Sequence, residues 1–452
     1  MILSHFFRQL RGLLRLAAFL LLLPVLLLAC NTLFTQTDSV AAMTMHEIRE
    51  RDDIQLAIVG SSMALYHFNP AIITEETGMI TFTAAMTGLM PPGAIALTEE
   101  LFEHSSPEHI VLVLESGTFD TVKEDPMTQM KLAPYLSSPL RRLRYWAETA
   151  RQDGMYAERL LLCNTFGHTS AADLVKSLRL RYDHDRAAAQ IREEWAGEYE
   201  YRDGFLRIVG AEPVTENTQD WFIRRETGNW YEMMPQTQAW LRSYRDLCKR
   251  SGAKLTVVIS PEMTVTMLRE PERLQYLDSA QRFFDAEGIP CYNLMYARES
   301  LLPDLNSYYY DYHHMLGEGA DVLSRSFARL FRAVQDGEDV AHHFCRSRYE
   351  YLAQIDFMTN VWATRETRGG KIHLRADSNR GANVRAEYRF ALQHEDGSET
   401  PLRDFAEEAE FSFDPALCGV RPGSRLRVYG RAAGGSEIFC YEFPPEDTKV
   451  PM

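Results

Sequence analysis

The chain has 452 residues, 45% of them hydrophobic, and a formal net charge of -15. That length is too great for one ordinary domain, so two folded units are expected. The acidic balance argues against nucleic acid as a partner, because phosphate binding needs concentrated Lys and Arg. The seven cysteines show no C-x-x-C or Cys/His ligand spacing, so a zinc site is not expected; no other metal and no cofactor is expected either.

The first predicted element is apolar. Arg8, Arg11 and Arg15 precede an uncharged run over residues 16–29, and with its flanks this approaches the ~20 residues needed to cross a bilayer. The positive flank comes first, which places the bulk of the chain outside the cytoplasm. Residues 1–35 therefore read as a signal anchor or as a lipoprotein signal. The second reading uses Leu27, Leu28, Ala29 and Cys30, which resemble a cleavage box with Cys30 as the lipidated residue. Either gives a cell-membrane protein in a compartment where a disulfide such as Cys418 to Cys440 is permissible.

Residues 36–53 read as a linker with a short helix. Residues 54–59 form an apolar strand ending at Gly60, and Pro91, Pro92 and Gly93 open a helix to about His104. Residues 110–114 and 255–260 repeat the near-continuous apolar run of strands buried on two faces, and residues 289–292 suggest a fourth. Strands alternating with helices over 54–340 predict an α/β domain with a doubly wound, mostly parallel sheet. A charged helical insert at about 139–203 reads as a cap over the C-terminal edge of the sheet, where such sheets bind ligands. Trp221, Phe222, Trp230 and Tyr231 follow it, either lining a groove or packing a core. After about Glu350 the apolar period changes to two: Val384, Ala386, Tyr388, Phe390 and Leu392 alternate with Arg385, Glu387, Arg389 and Gln393. With a turn at Glu395 to Ser398, residues 350–446 predict about six short strands in an all-β sandwich.

Two segments carry the chemistry. Ser62, beside Ser61, follows a strand and Gly60, where a sharp turn into a helix exposes a hydroxyl at the sheet edge. An N-cap serine would look the same. Asp311 and His314 stand three apart on a late loop, with Gly317 and Gly319 behind them. At that spacing a carboxylate can hold imidazole Nδ1–H while Nε2 faces a nucleophile. His313 is a rival base, only two residues from Asp311.

Gly60, Ser61 and Ser62 after the first strand, Thr87 and Gly88 after the next segment, and Asp311 and His314 before a final helix resemble the SGNH (GDSL-type) hydrolase superfamily. The tethered N-terminus, the run Val258 to Glu262, and Asp311 and His314 with Gly319 and Ala320 resemble one branch of it. That branch holds the D-alanyl-lipoteichoic acid transfer protein and cell-surface O-acyltransferases. The resemblance covers about residues 54–332 and implies Ser62 as nucleophile, His314 as general base and Asp311 as the residue that orients it. The backbone amides of Ser62 and Gly88 would be oxyanion donors. The chain departs from the pattern in three places. Ser61 stands where many members have Asp, and Met315 and Leu316 replace the usual Leu-Asn. The block from Leu114 to Asp120 lacks the Asn that completes the oxyanion hole, leaving Ser116 or Thr118 to substitute and Asp120 to meet substrate.

The implied function is a membrane-tethered serine acyl-transfer enzyme. It would be an O-acyltransferase or esterase acting through an acyl-serine on acyl esters of a cell-surface glycan or teichoic-type polymer. The acyl donor is open, and a membrane acyl-transporter is an expected partner. The competing reading is a non-catalytic surface protein, a degenerate scaffold whose β-sandwich binds carbohydrate or protein.

Overall fold

The computed structural model describes residues 2–34, 39–115, 131–153, 170–180, 183–214, 232–269, 271–418, 420 and 423–443. Five parallel strands make the central sheet: β1 (Leu56–Gly60), β2 (Thr81–Ala85), β3 (His109–Leu114), β6 (Lys254–Ile259) and β7 (Cys291–Asn293), in the order β2-β1-β3-β6-β7. β4 (Tyr199–Arg202) and β5 (Phe205–Ile208) form a separate antiparallel hairpin.

Alternation along the strands explains the two helical layers. Ala57, Val59, Ile110, Leu112, Val257 and Ile259 face one core, shared with the helices Pro91–His104, Pro235–Arg250 and Pro271–Glu287. Leu56, Ile58, Val111, Val113 and Val258 face a second, shared with the helices Ser62–His67, Pro70–Thr77 and Gly317–Gln335. Each strand is thus apolar on both sides, as a parallel sheet between helices requires. The register brings the strand ends level: Gly60 pairs with Ala85 and Val113, Leu114 with Ile259, and Ile259 with Asn293. The chain leaves β1 for β2 on one side and returns to β3 on the other. The turn after β1 therefore sits at the switch point where open α/β sheets place their ligands.

The short helix expected within residues 36–53 is Val40–Glu50, and it docks on the cores with Met45 and Ile48 fully buried. Two expectations are corrected. The insert is not wholly a helical cap over the edge. Its helix Pro139–Asp153 lies along the helix Pro91–His104, with Arg141 paired to Glu99, Glu100 and Glu103. The same insert ends in the β4–β5 hairpin, where Asp203 accepts the backbone N–H of Thr83 and so covers the outer edge of β2. Cys418 and Cys440 are free thiols, so the suggested disulfide is not formed.

Among the described residues the C-terminal region carries seven strands, where the period predicts about six. They are β8 (Met358–Arg368), β9 (Lys371–Arg380), β10 (Ala386–Gln393), β11 (Glu399–Ala406), β12 (Glu410–Phe413), β13 (Arg425–Ala432) and β14 (Phe439–Glu442). Two antiparallel sheets, β12-β9-β8 and β11-β10-β13-β14, share a buried cluster that includes Val361, Leu374, Phe390 and Val428. At the other end, among the described residues, one helix (Ile2–Phe34) is long and apolar enough to cross a membrane, with a window Leu10–Leu27 of mean hydropathy 2.1 and none of it buried.

Candidate active site

Gly60 ends β1 because nothing larger fits: a Cβ there would lie 2.9 Å from the Val113 carbonyl oxygen and 2.9 Å from Ala64 Cβ. The chain then turns directly into the helix Ser62–His67. Ser61 is its N-cap, buried, with Oγ accepting from Met63 N at 3.4 Å and donating to Glu115 Oε1 at 3.1 Å. Ser62, the first helical residue, is only half-buried. The structure therefore separates the two serines, giving Ser61 the capping position and leaving the Ser62 hydroxyl open.

The partner loop is a tight return. Tyr310 N–H donates to the His314 carbonyl and Leu316 N–H to the Tyr308 carbonyl, both at 2.8 Å. Within it Asp311 Oδ1 accepts the backbone N–H groups of His313 and His314, each at 2.7 Å. Its Oδ2 holds His314 Nδ1 at 2.7 Å. With Nδ1–H committed to the carboxylate, Nε2 is the acceptor, and it lies 2.8 Å from Ser62 Oγ. Burial works to raise the Asp311 pKa, but the hydrogen bond and charge of His314 and the two backbone N–H groups prevail and hold it at about 2. The Tyr66 ring stands edge-on to the His314 imidazole, with centroids 5.0 Å apart.

A layer beneath fixes this loop against the serine helix. His67, fully buried at the end of that helix, accepts Met315 N–H at Nε2 (3.2 Å) and bonds Ser260 Oγ through Nδ1 (2.8 Å). Burial and the neighbouring His314 push its pKa down to about 3, so it stays neutral and able to accept. His313 points elsewhere than its neighbour. Its Nδ1 lies 3.0 Å from Glu262 Oε2, which also takes Arg273 Nη1 at 2.8 Å.

The structure thus brings Ser62, His314 and Asp311 into one hydrogen-bonded chain, and it is His314, not His313, that reaches the hydroxyl. Gly88 lies on the turn after β2, with φ +69, three residues past the partner of Gly60 and so on the same edge. Ser116, Thr118, Asp120 and the aromatics from Trp221 to Tyr231 lie outside the described residues. The roles of Glu115 and His67 have no sequence signal of their own, since each partner is distant in the chain. Glu262 ends the run that resembles the O-acyltransferase branch, which was its one pointer. For a metal, the described residues offer one group, Glu100, Glu103 and His104. Its fully buried Glu100 is already neutralised by Arg49 and Arg141, so the cluster is occupied by cations of the protein itself.

No family model matches the chain, and no curated protein matches it. Solved structures resemble it at low identity. One is a GDSL-like lipase from Bacteroides thetaiotaomicron (10% identity, 66% of this chain and 100% of that one, TM-score 0.29). Another is a protein described as an acylhydrolase from Bacteroides fragilis (11%, 62% and 87%, TM-score 0.28). A third is described as a lipolytic protein of the G-D-S-L family from Desulfitobacterium hafniense (6%, 61% and 98%, TM-score 0.27).

Proposed function

We propose that this chain is a serine acyl-transfer enzyme in which Ser62 attacks an ester carbonyl, His314 takes the hydroxyl proton and Asp311 orients the imidazole. The observation that carries this reading is the continuous Asp311–His314–Ser62 hydrogen-bond chain, at 2.7 and 2.8 Å, at the C-terminal edge of the sheet. Attack forms a tetrahedral intermediate whose oxyanion is held by the Ser62 and Gly88 backbone amides. Collapse releases the alcohol, which carries away the proton from His314 Nε2, and leaves an acyl-serine. A polymer hydroxyl or water, deprotonated by the same nitrogen, then takes the acyl group.

The apolar helix Ile2–Phe34 supports a membrane tether. A tethered enzyme outside the cytoplasm would meet acyl esters of cell-surface glycan or teichoic-type polymer, and the resemblance to the O-acyltransferase branch favours transfer to polymer over hydrolysis. A membrane acyl-transporter fits as donor partner. We read the C-terminal sheets as a sandwich domain that holds polymer or docks that partner. A fluorophosphonate probe tests the chemistry: labelling of the intact protein that disappears in Ser62→Ala supports it. A folded protein that takes no label supports the non-catalytic surface protein.

A further inference from the structure

Beside the triad lies a second ion pair that the acyl-transfer steps do not use. Glu262 follows β6 with its side chain 1% exposed, and a carboxylate so deeply buried needs cationic partners. It has two on the same oxygen, Arg273 at 2.8 Å and His313 Nδ1 at 3.0 Å. His313 is the open member of this trio: its side chain is 35% exposed, and Nε2 has no hydrogen-bond partner among the described residues. Its ring centroid is 6.4 Å from that of His314, which handles the proton of the departing or incoming alcohol.

We propose that His313 is a substrate-binding residue for an oxyanion, a carboxylate or phosphate carried on the alcohol portion of the ester, so that the site selects anionic esters. The assignment of the alcohol side rests on the acyl-transfer reading above; the anion site itself does not. The groups facing His313 are Glu262 after β6, Arg273 on the helix Pro271–Glu287, Glu115 after β3, and Asp311 and His314 on its own loop. Burial and Arg273 work against its charge, while the bond to Glu262 and the charges of Glu262 and Glu115 favour it and prevail, so the pKa stands above the ordinary 6.5. Glu115 would repel an anion in turn, and its Oε1 is turned to the Ser61 hydroxyl. Anion binding should therefore weaken as the pH rises through the raised His313 value.

Two measurements on the intact protein decide the matter. The first is an NMR titration with inorganic phosphate, and separately with acetate, following the His313 imidazole at pH 6 and pH 9. A saturable shift at pH 6 that is lost at pH 9 supports the site, and the stronger of the two anions identifies the oxyanion. No shift with either at about 100 mM overturns it, whether or not Ser62 is a nucleophile. The second is the kcat/KM ratio for 3-carboxy-4-nitrophenyl acetate over 4-nitrophenyl acetate, in wild type and in His313→Gln. Loss of one charge-assisted hydrogen bond should lower that ratio by about 10-fold; an unchanged ratio overturns the proposal. If Ser62 takes no label while phosphate still moves His313, the catalytic reading fails and the anion site stands.

Discussion

Ser62 and His314 are 252 positions apart in the chain, and their side chains meet at 2.8 Å. The contact joins the first turn of the sheet to the last loop before its closing helix. His314→Ala should cut turnover by about 10⁴-fold or more. Its side chain is 26% exposed, and its removal should leave the circular-dichroism melting curve within a few degrees of wild type. His313→Ala should be the milder change in kcat for a neutral ester. If it were the more damaging of the two, the base would be misassigned.

Asp311 does two things with one carboxylate: Oδ1 ties the loop backbone and Oδ2 sets the imidazole tautomer. Asp311→Asn should lower kcat by about 10⁴-fold, because an amide can present N–H to Nδ1 and favour the wrong tautomer. Its folded pKa of about 2 lies below the ordinary 3.8. Its contribution to stability is therefore complete above pH 3.8 and lost as the pH falls through 2. The side chain is 39% exposed, so that contribution is screened and small beside the kinetic effect. Steady-state rates of the variant against wild type measure the first effect.

His67 predicts a wider pH dependence. Folded, it takes a proton only near pH 3; unfolded, near the ordinary 6.5. Between those values the unfolded chain binds the extra proton, so stability should fall steadily as the pH drops from 6.5 toward 3. Urea titrations across that range should show a shallower slope for His67→Gln. The same variant loosens the tie from the serine helix to Met315, and a displaced base should cost about 10- to 100-fold in kcat with KM little altered. A fall in KM and kcat together with an unaltered acid slope would contradict both roles.

The parts of the site legible in the sequence were those fixed by local geometry. Ser62 follows a strand and a glycine, and Asp311 and His314 share one turn, so short spacing alone displayed them. The main sheet was legible for a similar reason, since β1, β3 and β6 are continuous apolar runs. β2 was missed because Thr81 and Thr83 interrupt its apolar pattern, although both are buried in the parallel sheet. The hairpin of β4 and β5 was hidden at the end of a charged helical stretch. The Glu262–His313 pair and the His67–Met315 bond join residues 51 and 248 positions apart, and no periodicity reports such a meeting. The choice of Ser62 over Ser61 came from the resemblance, and the turn supplies its physical reason by giving Ser61 the N-cap.

The seam between the two regions lies later than the change of period at Glu350 suggests. Tyr351 stacks on Tyr296 with centroids 5.5 Å apart, and both Tyr351 and Ile355 belong to the α/β core. A chain ending at Asp356 should keep a folded α/β unit. One ending at Arg346 removes both side chains, each worth on the order of 3 kcal/mol, and should melt lower or aggregate. Proteolysis-resistant mass and thermal melts of the two truncations distinguish this from a single core shared across the seam.

The account stands most directly on which oxygen carries the acyl group. Incubating the intact protein with 4-nitrophenyl acetate, quenching in acid and mapping the adduct by peptide mass spectrometry answers that. The expected result is one acetyl group on Ser62, accumulating faster than it hydrolyses and absent from Ser62→Ala. An acetyl group on Ser61 or His313, or no adduct on a protein that is folded, would contradict the proposed chemistry.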